Sequence, residues 1–275
     1  MKLKLKRIRE LLGYAAELVK SEGFFAMARR ALGFFRRRFF GKRARYLPKQ
    51  KVLQAQRADV AARWQNGAAL PLISVCVPLY NTPEPYLRQF LASVFDQTST
   101  RWELCLADAS DEQHAYVGEI VAQRAAFAEK IAPAASRVKY VKVENRGISA
   151  NTNAAAALAT GEYLALADHD DILAPHAVYT LQMAILDSGA DFLYSDEALF
   201  KKSIRRPTVA HFKPDFAPDY LVCCNYICHL SAFKRSLYFE LGGERTECDG
   251  SQDHDLFLRI TDRLDETQIY HIPQV

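Results

Sequence analysis

Two acidic clusters are the first candidates for chemistry. Asp168-His169-Asp170-Asp171 follows the apolar run Tyr163–Ala167, and Ser251-Gln252-Asp253-His254-Asp255 precedes the apolar stretch Leu256–Ile260. Carboxylates are hard oxygen ligands for Mg2+ or Mn2+, and a metal so held can bridge the oxygens of a diphosphate. Asp168 and Asp170 are the candidate metal ligands. An Asp after a strand can instead cap the next helix, which would account for one of the three, Asp171. The remaining carboxylates repel one another unless a cation or solvent relieves them. Taken alone, the second cluster reads as the N-terminal cap of a helix. Beside a metal site it gains another reading, because transfer to a hydroxyl with inversion needs a base opposite the leaving group. Asp253 is the candidate base.

These residues need elements to hold them. Short apolar strands alternate with helical periodicities: strands over Ile73–Val77, Trp102–Ala107, Val138–Val143 and Tyr163–Ala167, helices over Tyr86–Phe95, Tyr116–Glu129, Ile148–Ala159 and His176–Ser188. That alternation predicts an α/β domain with a largely parallel sheet, and the less regular pattern after about residue 190 predicts a mixed portion. In open α/β sheets ligands bind beyond the carboxyl ends of the strands. Those ends are polar here: Val77-Pro78-Leu79-Tyr80-Asn81-Thr82, Ala107-Asp108-Ala109-Ser110-Asp111, Glu144-Asn145-Arg146-Gly147 and Asp168-His169-Asp170-Asp171. Four such edges on one crevice predict a nucleotide or sugar-phosphate site. Arg146 is a candidate for steadying phosphate, although an arginine beside a Gly turn is more often simply solvated. Neither GxGxxG after the first strand nor GxxxxGK[ST] occurs, so the dinucleotide and P-loop devices find no support.

The bulk numbers fit one soluble catalytic core plus an appendage: 275 residues, 49% apolar and 25% charged. The net charge of +4 is unevenly spread. Residues 1–45 carry fourteen Lys and Arg against Glu10, Glu17 and Glu22, a local +11 that leaves −7 for the other 230 residues. Residues 3–20 and 24–40 read as amphipathic helices, and Arg29, Arg30, Arg36 and Arg37 fall opposite the Phe24, Phe35 and Phe39 stripe. Such a helix suits an anionic membrane interface or packing against protein. The predicted organisation is a basic amphipathic segment over 1–46, a connector over 47–70 with a polar helical stretch ending at Trp64, and a catalytic domain over 71–275. The six cysteines form no CxxC pair and read as reduced core residues. No apolar run approaches the roughly 20 residues that span a bilayer, and no signal-peptide pattern opens the chain. The expected location is cytoplasmic, peripheral on the inner face of the membrane.

From about Ile73 onward the chain resembles the family 2 glycosyltransferases of GT-A fold. SVCVPLYNTPEPYLRQFLASVFDQT is similar to the family's first strand and helix, LADAS stands at its acidic turn, and NRGISANTNAAAALATGEYLALADHDD leads into its metal motif. YSDE, FKPD, NYICHL and GSQDxDL occur in the order found in bacterial polysaccharide enzymes labelled rhamnosyltransferases; here they begin at Tyr194, Phe212, Asn225 and Gly250. The resemblance implies a Rossmann-like nucleotide-diphospho-sugar transferase fold with a mixed, mainly parallel sheet. Pro78, Tyr80, Asn81, Asp108, Arg146 and Asp168 would bind the donor nucleotide, Asp168 and Asp170 a Mg2+ or Mn2+ ion, and Asp253 would act as base. It further implies a nucleotide-diphospho-sugar donor, rhamnose foremost, and a glycan or lipid-linked glycan acceptor, with no nucleic acid partner. Two rivals stand beside it. A nucleotidyltransferase commonly carries a Gly-rich basic loop after its first strand, which is absent here, and a non-catalytic sugar-nucleotide-binding or scaffolding domain would retain the fold without the transfer.

Overall fold

The computed structural model describes residues 47–131, 137–201, 203–204 and 207–275. The basic segment 1–46, with the helices expected at 3–20 and 24–40, lies outside the described residues. A helix α1 (Gln50–Gln65) occupies most of the stretch before the first strand. It buries only Leu53 and Val60 and is fastened by polar contacts, with Tyr179 donating to Asp59 at 3.0 Å and Arg57 to the Asp96 carbonyl at 3.2 Å.

The alternation then proceeds as β1 (Ile73–Leu79), α2 (Glu84–Phe95), β2 (Trp102–Asp108), α3 (Tyr116–Ile131), β3 (Val138–Lys142), α4 (Ile148–Ala157), β4 (Tyr163–Leu166) and α5 (Ala177–Ser188). Each observed boundary lies within two residues of its expected position. Helix α2 shows why the pattern was readable: a proline starts it, and Leu87, Phe90, Leu91 and Val94 recur at i, i+3, i+4 and i+7 on its buried face. Strands β1 and β2 are buried almost throughout, as central parallel strands covered on both faces must be.

The irregular half contributes β5 (Phe192–Ser195), β6 (Glu197–Phe200), β7 (Pro207–His211), α6 (Pro218–Cys223), β8 (Ser231–Lys234), α7 (Arg235–Glu240), α8 (Gln252–Arg263) and β9 (Ile269–Ile272). Strands β6 and β7 form an antiparallel ladder of their own, and the other strands make a seven-stranded sheet in the order β3-β2-β1-β4-β8-β5-β9. Strand β8 runs antiparallel to β4 and β5, while β1–β4 and the β5–β9 pair are parallel. The chain winds outward from β1 to β3 and returns to place β4 on the other side of β1. This β1/β4 switch point is where an open α/β sheet leaves a crevice for a ligand.

Helices cover both faces. One core layer joins Val75, Val77, Leu87, Phe90, Val117 and Leu181; the other joins Ala155, Phe192, Tyr226, Phe233, Leu256 and Phe257. The second layer seats α8 through Leu256, Phe257 and Ile260, so the first turn of that helix is delivered to the crevice on a packed support.

Two expectations are corrected. Cys76 and Cys105 are in the core, but Cys223 and Cys224 are exposed, and Cys228 and Cys248 are only partly covered. The short α6 turns Leu221 inward and leaves the end of the helix outside. Nor does Asp171 cap a helix: Asp168–Asp171 make a turn closed by the Asp171 amide on the Asp168 carbonyl, and α5 starts only at Ala177.

Candidate active site

The loops after β1 and β2 are laced together at the crevice. Leu79 is paired with Asp108 in the parallel register. The Asn81 amide donates to Ser110 Oγ at 2.9 Å, Asn81 Nδ2 to Asp111 Oδ2 at 3.0 Å, and the Asp111 amide back to Asn81 Oδ1. Asn81 holds φ at 48°, a left-handed conformation that Asn tolerates better than most residues. Pro78, next to last in β1, is half-buried, and Tyr80 projects outward, 49% exposed.

Asp108 is 1% exposed and fully engaged. Oδ1 accepts from the Ser110 amide, and Oδ2 accepts from Tyr140 Oη at 2.6 Å and Lys142 Nζ at 3.1 Å. Burial works against its charge, but the hydrogen bonds from Ser110, Tyr140 and Lys142 outweigh it and hold the carboxyl below the ordinary range. Arg146 sits on the exposed loop after β3, with its guanidinium on Glu144 Oε2. The adjoining Gly147 takes φ 95° and ψ 164°, where a side chain is strained and a Cβ would strike the Asp249 carboxylate. Asp249 in turn accepts from the Ser149 amide and hydroxyl, fastening α4 to the segment that leads into α8.

Beyond β4 the acidic turn meets a histidine. His229 Nε2 lies 3.2 Å from Asp168 Oδ2, and Asp253 stands within electrostatic reach of both. Burial opposes a charge on His229, yet the hydrogen bond and charge of Asp168, with the charges of Asp253 and Asp171, push its pKa up to about 9. Reciprocally, His229 holds Asp168 below the usual carboxylate range. Lost hydration raises Asp253, with His229 pulling the other way. Asp171 is raised by lost hydration and then by repulsion from Asp168, Asp170 and Glu197, against the pull of His229. A cavity of about 300 Å3 opens beside Asp171 and His229, walled by Leu173, Leu199 and Leu230.

The donor set fits a hard divalent cation. Asp168 and Asp170 offer two oxygen-only side chains near a third carboxylate that they repel. Among the described residues no three His, Cys, Asp or Glu side chains close a cage of their own. Mg2+ commonly takes one or two carboxylates and completes its shell with water and substrate phosphate.

Buried polar groups explain how the histidine is held. Lys213, its side chain wholly covered, donates to the carbonyls of Ile227 and His229 and pairs with Glu197 at 3.2 Å. Asp196 accepts from the Lys213 amide and from His271 Nε2, while His271 Nδ1 meets Asp215 at 3.0 Å and the ring stacks on Tyr194. The sequence blocks at 194–197, 212–215 and 225–230 thus form one scaffold around the loop that carries His229.

Sequence reasoning missed His229 as a site residue, although it lies inside a motif, and missed Glu244 altogether. Glu244 is 4% exposed, its Oε2 is buried with no hydrogen-bond partner, and its carboxyl interacts with that of Asp253; burial and the Asp253 charge push it up, to about 9. Its signal was slight: two glycines and then an acid, which reads as a surface turn.

Residues 74–241 match the family model described as Glycosyl transferase family 2. The uncharacterized protein y4gI of Sinorhizobium fredii is 38% identical over 230 residues, 82% of this chain and 24% of that protein. The O-antigen biosynthesis protein RfbC of Myxococcus xanthus is 32% identical over 207 residues, 74% of this chain and 15% of that protein. The chain therefore spans less than a quarter of the length of either relative. Among solved structures, S. aureus TarS 1-349 superimposes with a TM-score of 0.58 at 18% identity, over 74% of this chain and 58% of the other. The mannosyltransferase PcManGT from Pyrobaculum calidifontis does so at 0.50 and 19%, over 81% and 67%. At such identities the likeness is one of fold, the GT-A fold. The matched span exceeds half of the 275 residues and the first relative is 38% identical over most of them, so the chain belongs to glycosyl transferase family 2.

Proposed function

We propose that the chain is an inverting glycosyltransferase that moves a sugar, rhamnose foremost, from a nucleotide-diphosphate donor to a growing lipid-linked bacterial cell-surface polysaccharide. One observation carries this reading: a half-buried carboxylate with raised basicity, Asp253, shares a crevice with the Asp168 turn at the sheet's switch point. A base and a diphosphate-facing turn are the two parts that single-displacement transfer requires. Support for the donor class comes from neighbours: TarS 1-349 has been solved with UDP-GlcNAc, and PcManGT with GDP-Man and Mn2+. Support for the product class comes from the name of RfbC, an O-antigen biosynthesis protein.

In this mechanism Pro78, Tyr80, Asn81 and Asp108 hold the base and ribose, Asp108 exchanging its Tyr140 bond for one from the base. Arg146 turns from Glu144 toward phosphate. Asp168 and Asp170 would hold Mg2+ or Mn2+, which when bound supplies Lewis-acid stabilisation of charge on the leaving diphosphate. Asp253 removes the acceptor hydroxyl proton, and the acceptor oxygen attacks the anomeric carbon opposite the diphosphate. One displacement with no covalent intermediate inverts that centre. The test is transfer from a panel of UDP-, dTDP- and GDP-sugars to a lipid-linked glycan fraction. We expect product from one donor, with the opposite anomeric configuration by NMR. Retention would reject the mechanism, and no transfer from any donor would favour a scaffolding domain.

Among the described residues no helix is long and apolar enough to cross a membrane. We assign the +11 segment to an anionic membrane surface, where each basic residue contributes about 1 kcal/mol near acidic lipid. The full chain should sediment with phosphatidylserine vesicles and lose that association in high salt, whereas a chain beginning at Leu47 should remain in the supernatant. Equal pelleting of the two would reject the assignment.

A further inference from the structure

Glu244 has no part in the mechanism above, yet it is built into the site with care for its position. Asn153 brackets its peptide, donating to the Glu244 carbonyl at 2.8 Å and accepting from the Glu244 amide at 2.9 Å. Arg259, whose Nε and Nη2 both donate to Asp255 Oδ2, also donates to the Gly243 carbonyl at 2.8 Å and so ties the turn to the helix that bears Asp253. Gly242 and Gly243 supply the positive φ values of 80° and 74° that the turn needs, and a Cβ on Gly243 would strike Asn153.

The groups facing the Glu244 carboxyl are Asp253 of α8, His229 from the loop before β8, the Tyr238 phenol of α7 and the Thr152 hydroxyl of α4. Of these, His229 is already engaged with Asp168. Glu244 Oε2 is buried with no partner of its own, and for it to share a hydrogen bond with Asp253 one of the two carboxyl groups must carry a proton, because a carboxylate only accepts. Two ionised carboxylates in contact at a buried site repel strongly, so the pair retains one proton at neutral pH. Glu244 is the more deeply covered of the two, which places the proton on Glu244.

We propose that Glu244 is a positioning residue for the base: as a neutral acid it donates a hydrogen bond to one oxygen of Asp253 and leaves the other free for the acceptor. This rests on the reading of Asp253 as base. In the transfer step the acceptor proton passes to the free oxygen of Asp253. The acceptor oxygen bonds to the anomeric carbon as the bond to the diphosphate oxygen breaks, its electron pair leaving with the diphosphate. Glu244 keeps its own proton, and the proton gained by Asp253 goes to solvent before the next turnover. When alkaline pH strips Glu244, Asp253 faces a like charge and loses its bond.

The test compares the full-length chain with Glu244→Gln, Glu244→Leu and Asp253→Asn. Without any substrate, the infrared difference between wild type and Glu244→Gln at neutral pH should contain the C=O stretch of a protonated carboxylic acid. Turnover is read as nucleotide release from whichever of UDP-N-acetylglucosamine, GDP-mannose and dTDP-rhamnose is fastest. Glu244→Gln, a neutral donor at every pH, should hold kcat within roughly threefold and lose the descending alkaline limb, whereas Glu244→Leu should lose roughly tenfold or more in kcat at unchanged KM. A missing acid band, or a Leu variant with wild-type kcat and alkaline limb, would overturn the proposal. Wild-type turnover in Asp253→Asn would instead overturn the base assignment beneath it. If the Leu variant does not fold, or no donor in the panel is turned over, the infrared band decides.

Discussion

Asp253→Asn is expected to lose turnover by roughly 10^2–10^4-fold, the range for removal of a general base, while nucleotide affinity holds within about twofold. The amide matches the carboxylate in shape and can still accept from Glu244, but it cannot take up the acceptor proton. Asp108, Asp168 and the laced loops after β1 and β2 are untouched, so donor binding survives. The same substitution should stabilise the fold. Asp253 has a folded-state pKa raised by lost hydration. A carboxyl of that kind contributes stability below its unfolded pKa, and the contribution is lost as pH rises through the folded value. At neutral pH the ionised side chain therefore costs stability that the amide does not. Asp253→Asn should melt above wild type at pH 7.5, with the gap narrowing in acid. Parallel measurement of kcat, nucleotide affinity and melting temperature checks all three, and unaltered turnover would remove Asp253 from the role of base.

Such an exchange of stability for activity also marks where sequence reading stops. Strands β1, β2 and β4 were legible as apolar runs of four to seven residues, and β3 as the alternating Val138-Lys139-Tyr140-Val141-Lys142, each set between helical stretches. Strands β5, β8 and β9 have only four residues each and enter the sheet in mixed directions, so their order rests on pairings that no local pattern carries. The candidate site divides the same way. Asp168, Asp170 and Asp253 are recognisable by type and by position at element ends. The protonated state of His229 depends on Asp168, some sixty residues earlier, and on a loop held by Lys213. Glu244 depends on Asn153, 91 residues away, and on a Gly-Gly turn whose handedness only the fold requires. Sequence therefore exposes the carboxylates, whereas the groups that set their charge are gathered by tertiary structure.

The metal assignment is tested on Asp170 rather than Asp168 because Asp168 has a second duty. It is the direct partner of His229, so neutralising it would leave a half-buried imidazolium without its counter-charge and confound folding with binding. Asp170 is exposed and forms no ion pair among the described residues. Asp170→Ala should therefore weaken binding of UDP, dTDP or GDP, whichever the wild type prefers, by about tenfold or more in Mn2+ buffer, equivalent to about 1.4 kcal/mol. With EDTA the wild type should fall to the level of the variant, because the variant has already lost the ligand through which the cation reaches the diphosphate. Calorimetric titration of both proteins under both conditions gives a closed cycle. A wild type that binds equally well with and without chelator would remove the metal from donor binding. A variant that keeps the full Mn2+ dependence would leave Asp168 as the ligand and exclude Asp170.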